Sequence, residues 1–207
     1  MQEAMTSSAP PRVHLASRSP RRSLLLREAG IEHDAAHPGI DDGGLRPGRV
    51  SPEQWVAALA YLKARSALDG GATRAPIVLG ADTMVVSDRG IMGQPVDEAD
   101  ATRMIAALRD AEHDVVTGVA LVDAATGRRT LFSDRTRVRV GGISDAQIAE
   151  YVASGKWRGK AGAYNLAERV EAGWPITVEG DPGTVMGLPV KVLGERLARF
   201  VGGAVRD

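Results

Sequence analysis

The sequence predicts an α/β protein with a mixed sheet. Three observations carry that expectation. Strand-like and helix-like stretches alternate through the first half of the chain. The run Pro76-Ile77-Val78-Leu79-Gly80-Ala81-Asp82-Thr83-Met84-Val85-Val86 is apolar almost throughout, as a central strand buried on both faces should be. Two further strand patterns, Val115 to Val122 and Thr130 to Val140, follow one another across an Ala125-Thr126-Gly127 turn and make a strand pair in the middle.

Taken in order, the chain opens with residues 1–11, rich in Ser, Ala and Pro, which read as a flexible leader. They lack the basic and apolar regions of a signal peptide. Val13 to Ala16 is a short apolar strand. Ser19-Pro20 starts a helix with a capping hydroxyl and a ring whose φ suits the first helical position. Leu24, Leu25 and Leu26 supply its buried side, and Gly30 ends it. Residues 31–50 are rich in turn formers, with the acidic turn Ile40-Asp41-Asp42-Gly43-Gly44 among them. Ser51-Pro52-Glu53-Gln54 is a capping box, and Trp55, Leu59 and Leu62 set an apolar helical face that Asp69-Gly70-Gly71 closes.

After the 76–86 strand, Ser87 to Gly90 turns the chain and Ile91 to Pro95 leads it away. Asp97 caps a helix bearing Ala101, Met104, Ile105 and Leu108. Arg135, Arg137 and Arg139 alternate along the 130–140 strand as a solvated face. Ser144 caps a helix running to Gly155. Lys156 to Tyr164 is a polar, Gly-rich loop with several cations, placed to touch something or to move at the surface. Ile176 to Val178 is a short strand, Gly180 to Thr184 a turn, and Gly187-Leu188-Pro189 opens a final helix with Val190, Leu193, Leu197 and Phe200 inside.

Composition narrows the function. At 207 residues, 43% of them hydrophobic, the chain suits one large domain or two small lobes sharing a cleft. Lys and Arg number 26 and so do Asp and Glu, and aromatics are only 4%, which argues against bulk nucleic-acid or membrane-surface binding. There is no cysteine, which rules out thiolate chemistry and fits a reducing, cytoplasmic compartment. No segment has the length of a membrane span.

Two features point to chemistry. Arg21 and Arg22 fall in the first turn of a helix that directly follows a strand. The helix dipole disfavours cations there unless an anion, such as a phosphate, sits between them and the helix end; two solvated arginines are the plainer alternative. Asp82 interrupts an apolar strand, where a carboxylate is costly unless paired, metal-bound or exposed at a cleft. The small residues Gly80 and Ala81 before it let a ligand or another backbone come close. Lys63, four residues after Leu59, borders its helix's buried face, where a lysine commonly snorkels.

Four stretches together resemble the Maf family of nucleoside triphosphate pyrophosphatases: Leu15-Ala16-Ser17-Arg18-Ser19-Pro20-Arg21-Arg22, Leu79-Gly80-Ala81-Asp82-Thr83, Lys160-Ala161-Gly162-Ala163-Tyr164 and Val185-Met186-Gly187-Leu188-Pro189. They occur in the family's order and cover about residues 12–200. The Ham1-type inosine triphosphatases share the architecture but start with a different strand-to-helix motif. The resemblance implies an elongated mixed sheet with helices on both faces, two lobes around a central cleft, and a single domain over 12–207, often as a homodimer. It implies Mg²⁺- or Mn²⁺-dependent cleavage of a nucleoside triphosphate between the α and β phosphates. Asp82 and Lys63 would be catalytic. Ser17, Arg21, Arg22, Thr83, Gln94 and Lys160 would bind substrate, and Asp42 and Asp82 would serve the metal.

The chain also departs from the family. Gln94 replaces a usual Lys, which removes one cation. Gly159 precedes Lys160 where the family usually has Asp, and Asp42 stands where the acidic loop usually has Glu. Arg21 and Thr83 match the branch acting on dTTP and UTP. A third marker falls on Ala167 or on Glu168, and Glu168 would match the branch acting on 7-methyl-GTP, with Trp157 and Trp174 flanking the loop. The expectation is therefore a house-cleaning pyrophosphatase acting on dTTP and UTP or on a modified nucleotide, with 7-methyl-GTP as the alternative substrate. A non-catalytic nucleotide-binding regulator of cell division is the alternative from another class.

Overall fold

The computed structural model describes residues 12–41, 44–71 and 73–203. In chain order the elements are β1 (Val13–Ala16), α1 (Pro20–Glu28), β2 (His33–Ala36), α2 (Pro52–Asp69), β3 (Ile77–Ser87), β4 (Gly90–Met92), α3 (Glu98–Leu108), β5 (Ala111–Asp123), β6 (Arg129–Val140) and α4 (Asp145–Ala153). A 3₁₀ turn (Ala161–Ala163), α5 (Leu166–Glu171), β7 (Ile176–Glu179), α6 (Pro182–Met186) and α7 (Val190–Gly202) complete the chain. Seven strands form one sheet in the order β2-β1-β3-β5-β6-β7, with β4 also on β3. The β1 pairings with β2 and β3 are parallel and the others antiparallel, so the sheet is mixed as expected.

The centre of the sheet positions the site. Along one edge of β3, β1 pairs with Ile77 to Leu79 and β4 with Val85 to Ser87. Between them, Gly80 to Met84 meets no strand on that edge among the described residues, while β5 pairs the other edge without interruption. This gap opens the sheet to a cleft.

The two faces of β3 are covered differently. On one face α2, alone among the described elements, lies across the strands, with Ala60, Ala64 and Ala67 on Val78, Ala120 and Val122, and Val56 on Met84 and Val116. On the other face there are two separate apolar clusters. One joins Leu15, Leu79, Ala81 and Val119 to Leu25 and Leu26 of α1 and Leu193, Leu197 and Phe200 of α7. The second joins Val85, Val115 and Val138 to α3 and α4 through Ile105, Leu108, Ile148 and Tyr151. Alternation along β3 puts Thr83 between the two clusters, paired in register with Thr117 of β5. The seam between the lobes is therefore polar and runs under the cleft.

Several sequence expectations need correction. The buried face of α2 is Val56, Leu59, Ala60, Ala64 and Ala67; Leu62 is exposed and Trp55 only half-buried. The cause is Gly80 and Gly118 on the sheet below. A Cβ on Gly80 would lie 2.0 Å from the Ala60 carbonyl oxygen, and one on Gly118 2.3 Å from the Val56 backbone. The helix lies so close that only small side chains fit beneath it. Ser19 occupies the N-cap of α1 without a side-chain cap; instead Ser17 Oγ accepts from the Ser19 N–H at 3.1 Å.

Ile91 does not lead the chain away but returns on β3 as β4. The expected turn at 180–184 winds into α6, capped by the Asp181 side chain on the Gly183 N–H. Arg135, Arg137 and Arg139 of β6 are exposed but paired: Arg135 reaches Glu53 and Asp114, each at 2.5 Å, Arg137 also reaches Asp114, and Arg139 reaches Glu112. The 31–50 stretch contains β2, which has no β-branched residue and is ordered by pairing with β1 and by a 2.6 Å bond between His14 Nδ1 and Asp34.

Candidate active site

The floor of the cleft is a charge pair. Asp82 sits in the stretch of β3 that pairs with β5 but meets no strand on its other edge among the described residues, and it points to the α2 face. Lys63 of α2 places its Nζ 2.5 Å from Asp82 Oδ1, and each side chain is 14% exposed. The contact follows from the glycines. Gly80 precedes Asp82 by one alternation, and Gly118 is its cross-strand partner. Both let the backbone of α2 settle on the sheet, so the close approach permitted by these small residues is taken up by a helix. Neither ion would be tolerated alone at this depth; together they offset each other's desolvation.

The first wall is the β1–α1 loop. Ser17 Oγ holds the Ser19 N–H and also accepts from Arg22 Nη1 at 3.2 Å. Arg22 Nε donates to the Gly187 carbonyl at 2.8 Å, and its Nη2 donates to Thr83 Oγ1 at 3.2 Å. Three neutral acceptors from three parts of the chain thus fix one guanidinium. Arg21 reaches across the cleft towards the Gly159 carbonyl, 3.5 Å away. Burial lowers its pKa from the ordinary arginine value, and the nearby Glu168 charge opposes that shift.

The second wall is the 155–168 segment. Gly162 and Ala163 both adopt left-handed backbone, at φ 67° and 66°, and Ala163 is a residue for which that is uncommon. Three contacts hold this turn. The Gly162 N–H donates to the Gly93 carbonyl at 3.0 Å, the Tyr151 hydroxyl donates to the Ala163 carbonyl at 3.0 Å, and the Tyr164 hydroxyl meets His113 Nε2 at 2.8 Å. The buried Lys160 is thereby aimed at Glu168, with Nζ 2.6 Å from Oε2. Burial lowers the Lys160 pKa and the bond to Glu168 works against it.

Asn165 caps α5 by accepting from the Glu168 N–H, which places Glu168 in the first turn of that helix, on the cleft, while Ala167 points to solvent. Of the two positions left open, Glu168 lines the cleft and Ala167 does not. Trp157 and Trp174 do not face the cleft. Both are buried in the second lobe's core, Trp157 with its Nε1 on the Val152 carbonyl and Trp174 edge-on to Tyr151.

The cleft encloses about 660 Å³. Ser17, Arg21, Arg22, Lys63, Asp82, Thr83, Gln94, Lys160 and Glu168 all line it, so every site residue expected from the sequence is brought together except Asp42, which lies outside the described residues. Among the described lining residues the cations are Arg18, Arg21, Arg22, Lys63, Lys156, Arg158 and Lys160, against the carboxylates Asp82 and Glu168. On a chain of zero net charge this is a strong local excess of positive charge. Arg18 and His37 were not singled out by sequence reasoning. Arg18 sits between the two serines of the first motif and was legible from that position, whereas His37 falls in a stretch with no periodic signal. Among the described residues no group of three or more His, Asp or Glu could hold a metal ion by itself.

The family model for Maf-like proteins matches residues 12–200. The chain belongs to the Maf family. It is 37% identical over 186 residues to the dTTP/UTP pyrophosphatase of Pelotomaculum thermopropionicum, covering 90% of this chain and 95% of the relative. It is 40% identical over 181 residues to the dTTP/UTP pyrophosphatase of Koribacter versatilis, covering 85% and 88%. It is 41% identical over 189 residues to that of Moorella thermoacetica, covering 90% and 93%.

Two of the departures from the Maf pattern fall on the cleft itself. Gln94 lines it and contributes an amide where the resemblance puts a usual lysine. Gly159 is left-handed at φ 68°, a conformation that costs an L-residue more than glycine. Its carbonyl is the acceptor that Arg21 approaches across the cleft.

Proposed function

We propose that this chain hydrolyses nucleoside triphosphates between the α and β phosphates, releasing the monophosphate and pyrophosphate, with dTTP and UTP preferred. The observation that carries this reading is the Asp82–Lys63 pair at the floor of a cleft lined by cations. Binding a polyphosphate needs the cations alone; a carboxylate in their midst is needed for chemistry, directly or through a metal that it holds. Asp82 accepts a proton from water as the water oxygen bonds to the α-phosphorus. The bond from that phosphorus to the α–β bridging oxygen breaks, and its electron pair leaves with pyrophosphate. Lys63 orients the Asp82 carboxylate and offsets negative charge as the leaving group develops. Ser17, Arg21 and Arg22 hold the triphosphate, and Lys160 contacts the substrate from the second lobe.

A divalent cation fits this donor set. Mg²⁺ is bound by one or two carboxylates and completed by substrate phosphates, so a cage of three protein ligands is not required. Asp82 would hold it, with Asp42 as a second carboxylate. When bound, the cation supplies charge neutralisation between the phosphates. The dTTP/UTP preference rests on Arg21 and Thr83 and on the names of the relatives; Glu168 on the cleft is the feature that favours 7-methyl-GTP instead. Residues 12–207 would work as one domain because the cleft draws on both lobes. A homodimer in the cytoplasm remains part of this proposal; no helix among the described residues is long and apolar enough to cross a membrane.

The test is pyrophosphate release from dTTP, UTP, GTP and 7-methyl-GTP with Mg²⁺ or Mn²⁺ and with excess chelator. The expected outcome is turnover that the chelator abolishes. Full activity in chelator would remove the cation from the proposal. Nucleotide binding without pyrophosphate release would make the chain a regulator, a reading that the lost cation at Gln94 would suit.

A further inference from the structure

Thr117 belongs to none of the four motifs, is fully buried and does not line the cleft. It faces Thr83 across β3 and β5 at the polar seam between the two lobes. Counting protons shows what it does there. The Thr117 hydroxyl has one proton, and it goes to the Thr184 carbonyl 2.8 Å away. The 2.9 Å bond between Thr117 Oγ1 and Thr83 Oγ1 is then donated by Thr83. Thr83 Oγ1 is left as the acceptor for Arg22 Nη2. The chain runs one way, from Arg22 to Thr83 to Thr117 to the Thr184 carbonyl.

The chain also closes on itself. Thr184 lies in α6, where its own hydroxyl donates to Asp134. That helix ends at Gly187, whose carbonyl receives Arg22 Nε. Gly187 is left-handed at φ 105°, and a Cβ there would lie 3.3 Å from Arg22 Nε. From this ring we infer that Thr117 is a positioning residue for phosphate recognition: it fixes Thr83 as an acceptor and so orients the Arg22 guanidinium in the cleft. Without the Thr117 oxygen, Thr83 is free to turn its proton towards Arg22, and the guanidinium loses one of the points that fix it. The inference rests on the proposed triphosphate reading.

Inorganic tripolyphosphate, titrated calorimetrically, tests it. The proteins are the wild type, Thr117→Val, Thr117→Ser, Arg22→Ala and the Thr117→Val/Arg22→Ala double variant. Thr117→Val should weaken tripolyphosphate about tenfold, in line with a lost buried hydrogen bond. Thr117→Ser, which keeps the hydroxyl, should restore affinity. In the Arg22→Ala background, Thr117→Val should cost nothing further. An equal loss in both backgrounds would overturn the inference, since a merely structural threonine acts whether or not Arg22 is present. Should Thr117→Val not fold, Thr117→Cys takes its place with the same expectation. If the wild type binds no tripolyphosphate, it is the triphosphate reading that falls. The geometric part of the inference, that Thr117 orients Arg22 through Thr83, is then read from melting temperatures across the same cycle, where a non-additive pair supports that part alone and an additive pair overturns it as well.

Discussion

The two walls of the cleft hold their cations in different ways. On the first wall Arg22 is held by neutral acceptors, two hydroxyls and a carbonyl, on a strand, a helix start and a glycine corner. On the second wall Lys160 is held by a carboxylate, on a turn of left-handed backbone and the six-residue helix α5. These neutral acceptors hold the guanidinium without themselves neutralising its charge. An ion pair leaves little net charge but keeps a donor and an acceptor side by side, which is what a base edge requires. On the proposed triphosphate reading, the first wall would take the phosphates common to all substrates and the second the part that differs.

The floor beneath both walls gives the largest expected effect. Asp82→Asn should lower kcat by about a hundredfold to ten-thousandfold, the usual cost of losing a general base, while triphosphate still binds. The loss should be the same for every base, because Asp82 belongs to neither wall. Near-native kcat would make Asp82 a structural partner of Lys63 and remove the mechanism.

Next comes the approach of α2, on which the floor depends. Gly118→Ala would put a Cβ 2.3 Å from the Val56 backbone, too close for any side chain. The helix has to lift, which should cost about 1–3 kcal/mol of stability by urea denaturation and separate Lys63 from Asp82. Unchanged stability with unchanged activity would show that the helix can shift without consequence for the pair.

These glycines explain what was and was not legible in the sequence. The first wall and the floor could be read because each lies on a regular element with its own signal: Ser19-Pro20 for a helix start, an Asp inside an apolar run for the floor. The choice of alanines rather than Trp55 and Leu62 as the α2 interior was not legible, because it is set by glycines far away in sequence. The elements α5 and α6 span six and five residues, too few for a periodic pattern to declare itself. Lys160 was visible as one cation in a loop, but its bond to Glu168 depends on the Asn165 cap and on Ala163 holding φ 66°.

The second wall has a support the first lacks, and acid should expose it. His113, buried behind Tyr164, is pushed from the ordinary histidine value of 6.5 down to about 4 by burial, with Asp114 opposing. Above about pH 6.5 neither folded nor unfolded chain binds this proton. Between about 6.5 and 4 the unfolded chain takes it up and the folded chain does not, so stability falls as the pH falls. The contribution should reach about 2 kcal/mol by pH 5. Urea melts at pH 7 and pH 5 should show this difference shrinking in His113→Gln. An identical pH slope in the variant would assign the acid sensitivity to another group.

The smallest effect bears most directly on the comparison. Glu168 is half-exposed, so its bond to Lys160 contributes at most about 1 kcal/mol to stability and Glu168→Gln should fold normally. The substitution keeps the side chain's size and its acceptor oxygen but removes its charge. If the second wall reads the base, the effect must depend on the substrate. The cationic base of 7-methyl-GTP gains from a nearby carboxylate and should lose about tenfold in kcat/KM, roughly 1.4 kcal/mol of transition-state binding. The uncharged bases of dTTP and UTP should change by less than about threefold. Measured side by side for dTTP, UTP, GTP and 7-methyl-GTP, these ratios separate the two walls. Were all four substrates to lose the same factor, Glu168 would serve only to hold Lys160 against a phosphate. The second wall would then do the work of the first, and base selection would have to come from elsewhere in the cleft.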